Sequence, residues 1–154
     1  MKLDRLIGRR LGGDHLVSWW AHRQMQRSGL MDLMRGRPAE GIPPVSYDLW
    51  NLYRTVRTLR PQVVLEFGVG CSTFVLAEAL ARNGSGHLYS CETSPYWLDA
   101  VDRHLPPRLK ERCTLILSAA EMMTYGNSTC SRYVATPDAS PPLIYPGGPF
   151  TPDI

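Results

Sequence analysis

The sequence predicts an α/β fold: a Rossmann-like, three-layer α/β/α arrangement around a partial parallel sheet in strand order 3-2-1, preceded by N-terminal helices. Three observations predict it. Residues 63–67 read Val-Val-Leu-Glu-Phe, a short run rich in β-branched and apolar side chains that suits a strand buried on both faces. Gly68 and Gly70 follow at alternate positions, and then Phe74, Leu76, Ala77, Ala79 and Leu80 recur at helical spacing, so the stretch reads strand, tight turn, helix. The unit then repeats, with strand-like runs at 87–91 and 113–117 separated by a capped helical pattern. Strands alternating with helices form βαβ units and hence a parallel sheet.

Taken in order, residues 14–34 read as a helix with Asp14 as its cap and Trp19, Trp20 and Met25 on its apolar side. Gly36, Pro38, Gly41, Pro43 and Pro44 break the chain into a loop. Ser46 caps an amphipathic helix in which Leu49, Leu52, Tyr53, Val56 and Leu59 recur at three and four residues, and Pro61 ends it. The pattern reads as packing, with the helix laid against the sheet. The strand at 62–66 leads through the glycines to a helix over 72–82, for which Ser72-Thr73 is a natural cap. Asn83-Gly84-Ser85-Gly86 stops that helix. The second strand runs to Glu92. Ser94-Pro95 then starts a helix with cap and N1 proline in the favoured order, running through Trp97, Leu98, Val101 and His104 to Pro106-Pro107. After the third strand come Ser118, Ala119, Ala120 and Glu121. From Thr124 onward the periodicity fades into polar residues and then prolines, which predicts irregular structure with at most a short strand at Tyr133-Val134.

At 154 residues, 44% hydrophobic and 20% charged, the composition is that of one globular domain. No apolar run approaches a membrane span, and the basic start lacks the apolar core and cleavage site of a secretory signal, so the cytoplasm is the default compartment. Charge is uneven: residues 1–60 hold 11 Lys/Arg against 5 Asp/Glu, and residues 61–154 hold 6 against 9. The basic part has no aromatic-basic RNA-binding pattern and reads as solvated helix faces. Cys71, Cys91, Cys113 and Cys130 are far apart, and the four histidines do not cluster with them, which argues against a zinc site and for reduced thiols.

The chemistry concentrates in the glycine turn. A dinucleotide fingerprint needs a third glycine where Thr73 stands, and a P-loop needs a lysine that is absent nearby. What is present is Glu66-x-Gly68-x-Gly70-Cys71-Ser72-Thr73. This resembles the first motif of class I S-adenosylmethionine-dependent methyltransferases, in the variant with Ser-Thr after the second glycine. The resemblance implies S-adenosyl-L-methionine as cofactor, with Gly68, Gly70, Cys71, Ser72 and Thr73 packing against its methionine part and Glu66 helping to hold its charged amino group. It also implies that Glu92, which ends the second strand 24 residues after Gly68 and is followed by Thr93, accepts the ribose hydroxyls. NAD enzymes place an acid similarly, so Glu66 and Thr73, rather than Glu92, separate the two classes. The turn at Ala119-Ala120 stands where the family meets the adenine, without the acid commonest there.

The resemblance covers about residues 45–154. It predicts strands on one side of the first strand only, with the family's fourth strand beginning at Pro152-Asp153-Ile154, so that the chain reads as truncated before it. The expected division is 1–45, a helical basic segment; 46–135, the cofactor-binding first half of the domain; and 136–154, a Pro/Gly-rich tail. A small-molecule methyl acceptor is implied, with no catalytic residue identified. Two alternatives stay open: a catalytically inactive fragment or partner-completed binding module, in which a second copy or another chain supplies the missing strands, and a nicotinamide-dependent enzyme.

Overall fold

The computed structural model describes residues 4–35, 45–138 and 143–146, with side chains from residue 16 onward. Helices α1 (Asp4–Arg27), α2 (Leu30–Leu33) and α3 (Ser46–Leu59) precede β1 (Val63–Phe67), α4 (Cys71–Asn83), β2 (His87–Glu92), α5 (Pro95–His104), α6 (Pro107–Lys110) and β3 (Cys113–Leu117). A hairpin, β4 (Ala120–Tyr125) and β5 (Ser128–Tyr133), comes next, and then β6 (Leu143–Pro146). The main sheet is parallel, in the order β3-β2-β1-β6.

That order confirms the Rossmann-like α/β class and the 3-2-1 succession, and it corrects the far side of β1. That side was expected to be open; instead Leu143–Pro146 pairs with it in parallel, Val64 against Leu143 and Glu66 against Tyr145. The sequence hides this strand because it is four residues long and lies among prolines. Pro146, at its end, has no ladder donor to lose. Residues 143–146 thus belong to the sheet and not to a separate tail, while Pro152-Asp153-Ile154 lies outside the described residues. Irregular structure was expected from Thr124 onward, with at most a short strand at Tyr133-Val134; instead Ala120–Tyr125 and Ser128–Tyr133 form an antiparallel hairpin turned at Gly126.

Side chains alternate across a strand, so Val64, Glu66, Leu88, Ser90, Cys113 and Leu115 share one face. The apolar members of this set pack with Leu52, Val56, Phe74, Val75, Val101, Leu105 and Leu109 from the helices. Helix α4 is buried over nearly its whole length, from Ser72 to Leu80. It begins at Cys71 with Gly70 as its cap; Ser72 and Thr73 lie inside its first turn, where Thr73 takes part in the cap by accepting the Gly70 N–H. Helix α3 likewise starts at Ser46 with Val45 as the cap and no side-chain cap bond. Helix α1 continues through Asp14, and its buried contacts come from Ala21 and Met25, whereas Trp19 is 57% exposed. Trp50 stacks on Tyr53 with centroids 5.4 Å apart and meets the edge of Trp20, which makes it part of the helical packing. The opposite face of the sheet meets the end of β5 and the chain that follows it: the Phe67 ring packs tilted against Tyr133 with centroids 4.8 Å apart, and the Cys91 thiol approaches the Ala135 carbonyl at 3.6 Å.

Candidate functional site

The glycine turn lies where β1 gives way to α4. Gly68 has φ +86°, a left-handed conformation that side chains resist. Gly70 is extended, and a Cβ built there meets no atom within 4 Å. Gly68 is therefore required by the backbone, whereas the room beside Gly70 is open to a ligand.

All three amide N–H groups of the turn are engaged within the protein. The Gly68 N–H donates to the Cys91 carbonyl at 2.8 Å. The Val69 N–H donates to Glu92 Oε2 at 2.9 Å. The Gly70 N–H donates to Thr73 Oγ1 at 2.9 Å. A phosphate cradle needs such donors aimed at the ligand, so this turn is not built as one.

Two carboxylates flank the turn. Glu66 is 0% exposed and accepts three hydroxyls: Ser72 on Oε1 at 2.5 Å, and Thr73 and Ser90 on Oε2 at 2.8 Å and 2.6 Å. Burial pushes its pKa up to about 7, against the opposing pull of those hydroxyls and with a further push from the charge of Glu92. The direct contact with a ligand's ammonium that the resemblance implies is thus not what the geometry presents; Glu66 instead fixes the first turn of α4 from below. Ser90 was missed in the sequence, although it stands directly opposite Glu66 once the two strands are set in register.

Glu92 is 8% exposed and gathers backbone donors. Besides Val69, its Oε1 accepts the N–H groups of Thr93 and Ser94 at 2.8 Å and 2.9 Å. Each carboxylate oxygen has two lone-pair sites, so Oε2 retains one for a ligand hydroxyl. Thr93 is exposed beside it, and its hydroxyl reaches Glu92 Oε1 at 3.3 Å. Ala119 and Ala120 are exposed at the end of β3, and the Ala119 carbonyl accepts the Val134 N–H at 2.9 Å. Ser118, also missed in the sequence, ties the two regions together: its N–H donates to the Glu92 carbonyl and its hydroxyl accepts the Ala135 N–H at 2.8 Å.

A cavity of about 570 Å³ opens at the C-terminal ends of β1 and β6. Phe67 and Pro146 supply its sheet side, and Arg132 and Tyr133 line it from the hairpin. The strand order reverses between β1 and β6, and such switch points are where open α/β sheets bind ligands. Burial and the charge of Glu92 raise the Tyr133 phenol pKa, which marks how closely cavity and turn adjoin. Among the described residues no cluster of three or more His, Cys, Asp or Glu is arranged to hold a metal ion, and no helix is long and apolar enough to cross a membrane.

Fold and site together define a Rossmann-like α/β protein with open space beside the Gly70 end of its glycine turn. No family model and no curated protein matches the chain. Among solved structures it is similar to a Klebsiella pneumoniae protein described as an O-methyltransferase, at 20% identity and a TM-score of 0.47, over 66% of this chain and 50% of that one. It is also similar to the O-methyltransferase from Bacillus cereus in complex with SAH, at 23% identity and a TM-score of 0.43, over 58% and 43%. The chain spans about half the length of these structures or less.

Proposed function

We propose that the chain is the cofactor-binding part of a class I S-adenosylmethionine-dependent methyltransferase acting on a small molecule, in the cytoplasm. The observation that carries this reading is the pairing of a glycine turn whose amides are internally satisfied with two acidic side chains. Such a site disfavours a dinucleotide pyrophosphate, which needs free amide donors in the turn. It suits a ligand with a positive centre and hydroxyl groups.

When bound, the cofactor supplies an activated methyl group on a sulfonium. The chain's residues supply placement. Glu92 offers Oε2 to the ribose hydroxyls while holding Val69, Gly70 leaves room for the methionine part, and Ser72, Thr73 and Glu66 keep the turn in shape. Cys71, Thr93, Ala119 and Ala120 complete the rim. The acceptor is placed in the cavity beside Phe67 and Tyr133, where alignment rather than acid–base chemistry lowers the barrier. The domain reading is a helical segment to residue 45, followed by the cofactor-binding unit, which extends through β6.

Titration of the folded chain with S-adenosylhomocysteine tests the reading. One-to-one micromolar binding that Glu92→Ala weakens at least tenfold supports it, and a folded chain that binds nothing sinks it. A second reading, a partner-completed module, is favoured by one observation: among the described residues β6 pairs with β1 alone, which leaves its outer edge available. Turnover by a monomer in light scattering would exclude it.

A further inference from the structure

The turn's three amides are held from two sides, and the two sides differ. Gly68 and Val69 are tied to β2, to the Cys91 carbonyl and to Glu92. Gly70 is tied only to Thr73 Oγ1, and that hydroxyl in turn donates to Glu66. A continuous path of hydrogen bonds therefore runs from the amide beside the open ligand space, through Thr73, to a carboxyl with no exposure to water. Ser72, one residue earlier on α4, and Ser90, on β2, complete its shell.

This shell is made of donors. As a carboxylate, Glu66 accepts all three hydroxyls. With a proton on it, Glu66 becomes a donor itself, and one of the three hydroxyls must turn to accept. If that hydroxyl is Thr73, its O–H no longer donates to a carboxylate and its oxygen is shared between the Glu66 O–H and the Gly70 N–H, so the charge-assisted chain that holds Gly70 loosens.

We propose that Glu66 is a positioning residue whose ionised carboxylate holds the Gly70 side of the turn in its ligand-ready form, so that protonation of Glu66 weakens cofactor binding. This rests on the cofactor reading above and adds a pH-dependence and a role to it. The groups facing Glu66 support a titration near neutrality. Glu92 on β2 adds a like charge, while Cys91 on β2, Cys113 on β3 and Tyr145 on β6 are neutral groups whose own pKa values are raised by burial and, next, by the Glu66 charge. Among the described residues no cation bonds to Glu66; its partners are the three hydroxyls. A positive ligand centre arriving above the turn favours the ionised form, so ligand binding and proton release are linked.

The experiment is a calorimetric titration of the chain with S-adenosylhomocysteine from pH 6 to pH 8, on the wild type and on Glu66→Gln, together with carboxyl-carbon NMR of Glu66 with and without the ligand. With a midpoint near 7, affinity should fall about tenfold from pH 8 to pH 6 in the wild type and stay flat in Glu66→Gln. The Glu66 midpoint should also drop by about one unit or more when ligand is bound, a readout that needs no variant. A wild-type affinity that does not change with pH, a slope retained in Glu66→Gln, or a midpoint unmoved by ligand would each overturn the proposal. Absence of binding at every pH by a folded chain would overturn the cofactor reading first and this role with it, and the ligand-free NMR midpoint tells the two failures apart.

Discussion

The two halves of the site are built in opposite ways. Around the glycine turn nearly every polar group has an internal partner: Glu66 and Glu92 are buried, and between them they take four hydroxyls and three backbone amides. Across the cavity, the β4–β5 hairpin is open to solvent, with Tyr125 79% exposed and Arg132 paired with Glu121 only at the surface. The first arrangement is rigid, because breaking any bond leaves a buried group unsatisfied. The second can vary its side chains at little cost in stability. Under the function proposed above, cofactor recognition falls to the first kind of surface and choice of acceptor to the second.

The contrast can be broken or sharpened, beginning with the largest effect. Folded Glu66 has a pKa of about 7 against 4.5 in the unfolded chain, so between those values the folded state holds more protons. Stability from this group is fully present below the lower value and is lost as pH rises through about 7. Thermal melts should therefore show the wild type losing up to about 3 kcal/mol relative to Glu66→Gln between pH 4 and pH 8. A difference that is flat or grows with pH would mean that Glu66 is not the buried acid described.

Gly68→Val comes next. A β-branched residue at φ +86° is strained by about 1–3 kcal/mol, so denaturant melts should show that loss, together with at least tenfold weaker S-adenosylhomocysteine binding. Glu92→Ala removes the carboxylate acceptor of three partly buried amides and should cost about 1–3 kcal/mol in the same melts. Gly70→Ala separates fold from ligand. Its added methyl meets no protein atom, so its melting midpoint should stay near that of the wild type while binding falls. A methyl that leaves binding intact would show that the open space is not the ligand's. At the other extreme, Tyr125→Ser on the hairpin should change stability by no more than about 0.5 kcal/mol and leave cofactor affinity unchanged.

The same division explains what could be read in the sequence. Strands β1, β2 and β3, the glycine turn, helix α4 and the Ser94-Pro95 start of α5 all follow from local patterns: apolar runs, positive-φ glycine, and a cap whose hydroxyl accepts the Trp97 N–H. The roles of Glu66 and Glu92 were only half legible. That acids stand at these strand positions is a local fact, but which donors surround them depends on register, which brings Ser90 to Glu66, and on loop closure, which brings Val69 to Glu92. The hairpin was missed because its strands bury little and so show no hydrophobic alternation: Glu121, Thr124, Thr129 and Ser131 are polar on both faces. Strand β6 was missed because only the pairing with β1, not its own four residues, makes it a strand.

The central claim is that this glycine turn was shaped for a cofactor with a positive centre and ribose hydroxyls and not for a pyrophosphate. The most direct test is a side-by-side calorimetric titration of the folded chain with S-adenosylhomocysteine and with NADH. One-to-one micromolar binding of the first and no heat from the second is the predicted result. Binding of NADH, or of neither ligand by a chain shown to be folded, would contradict it.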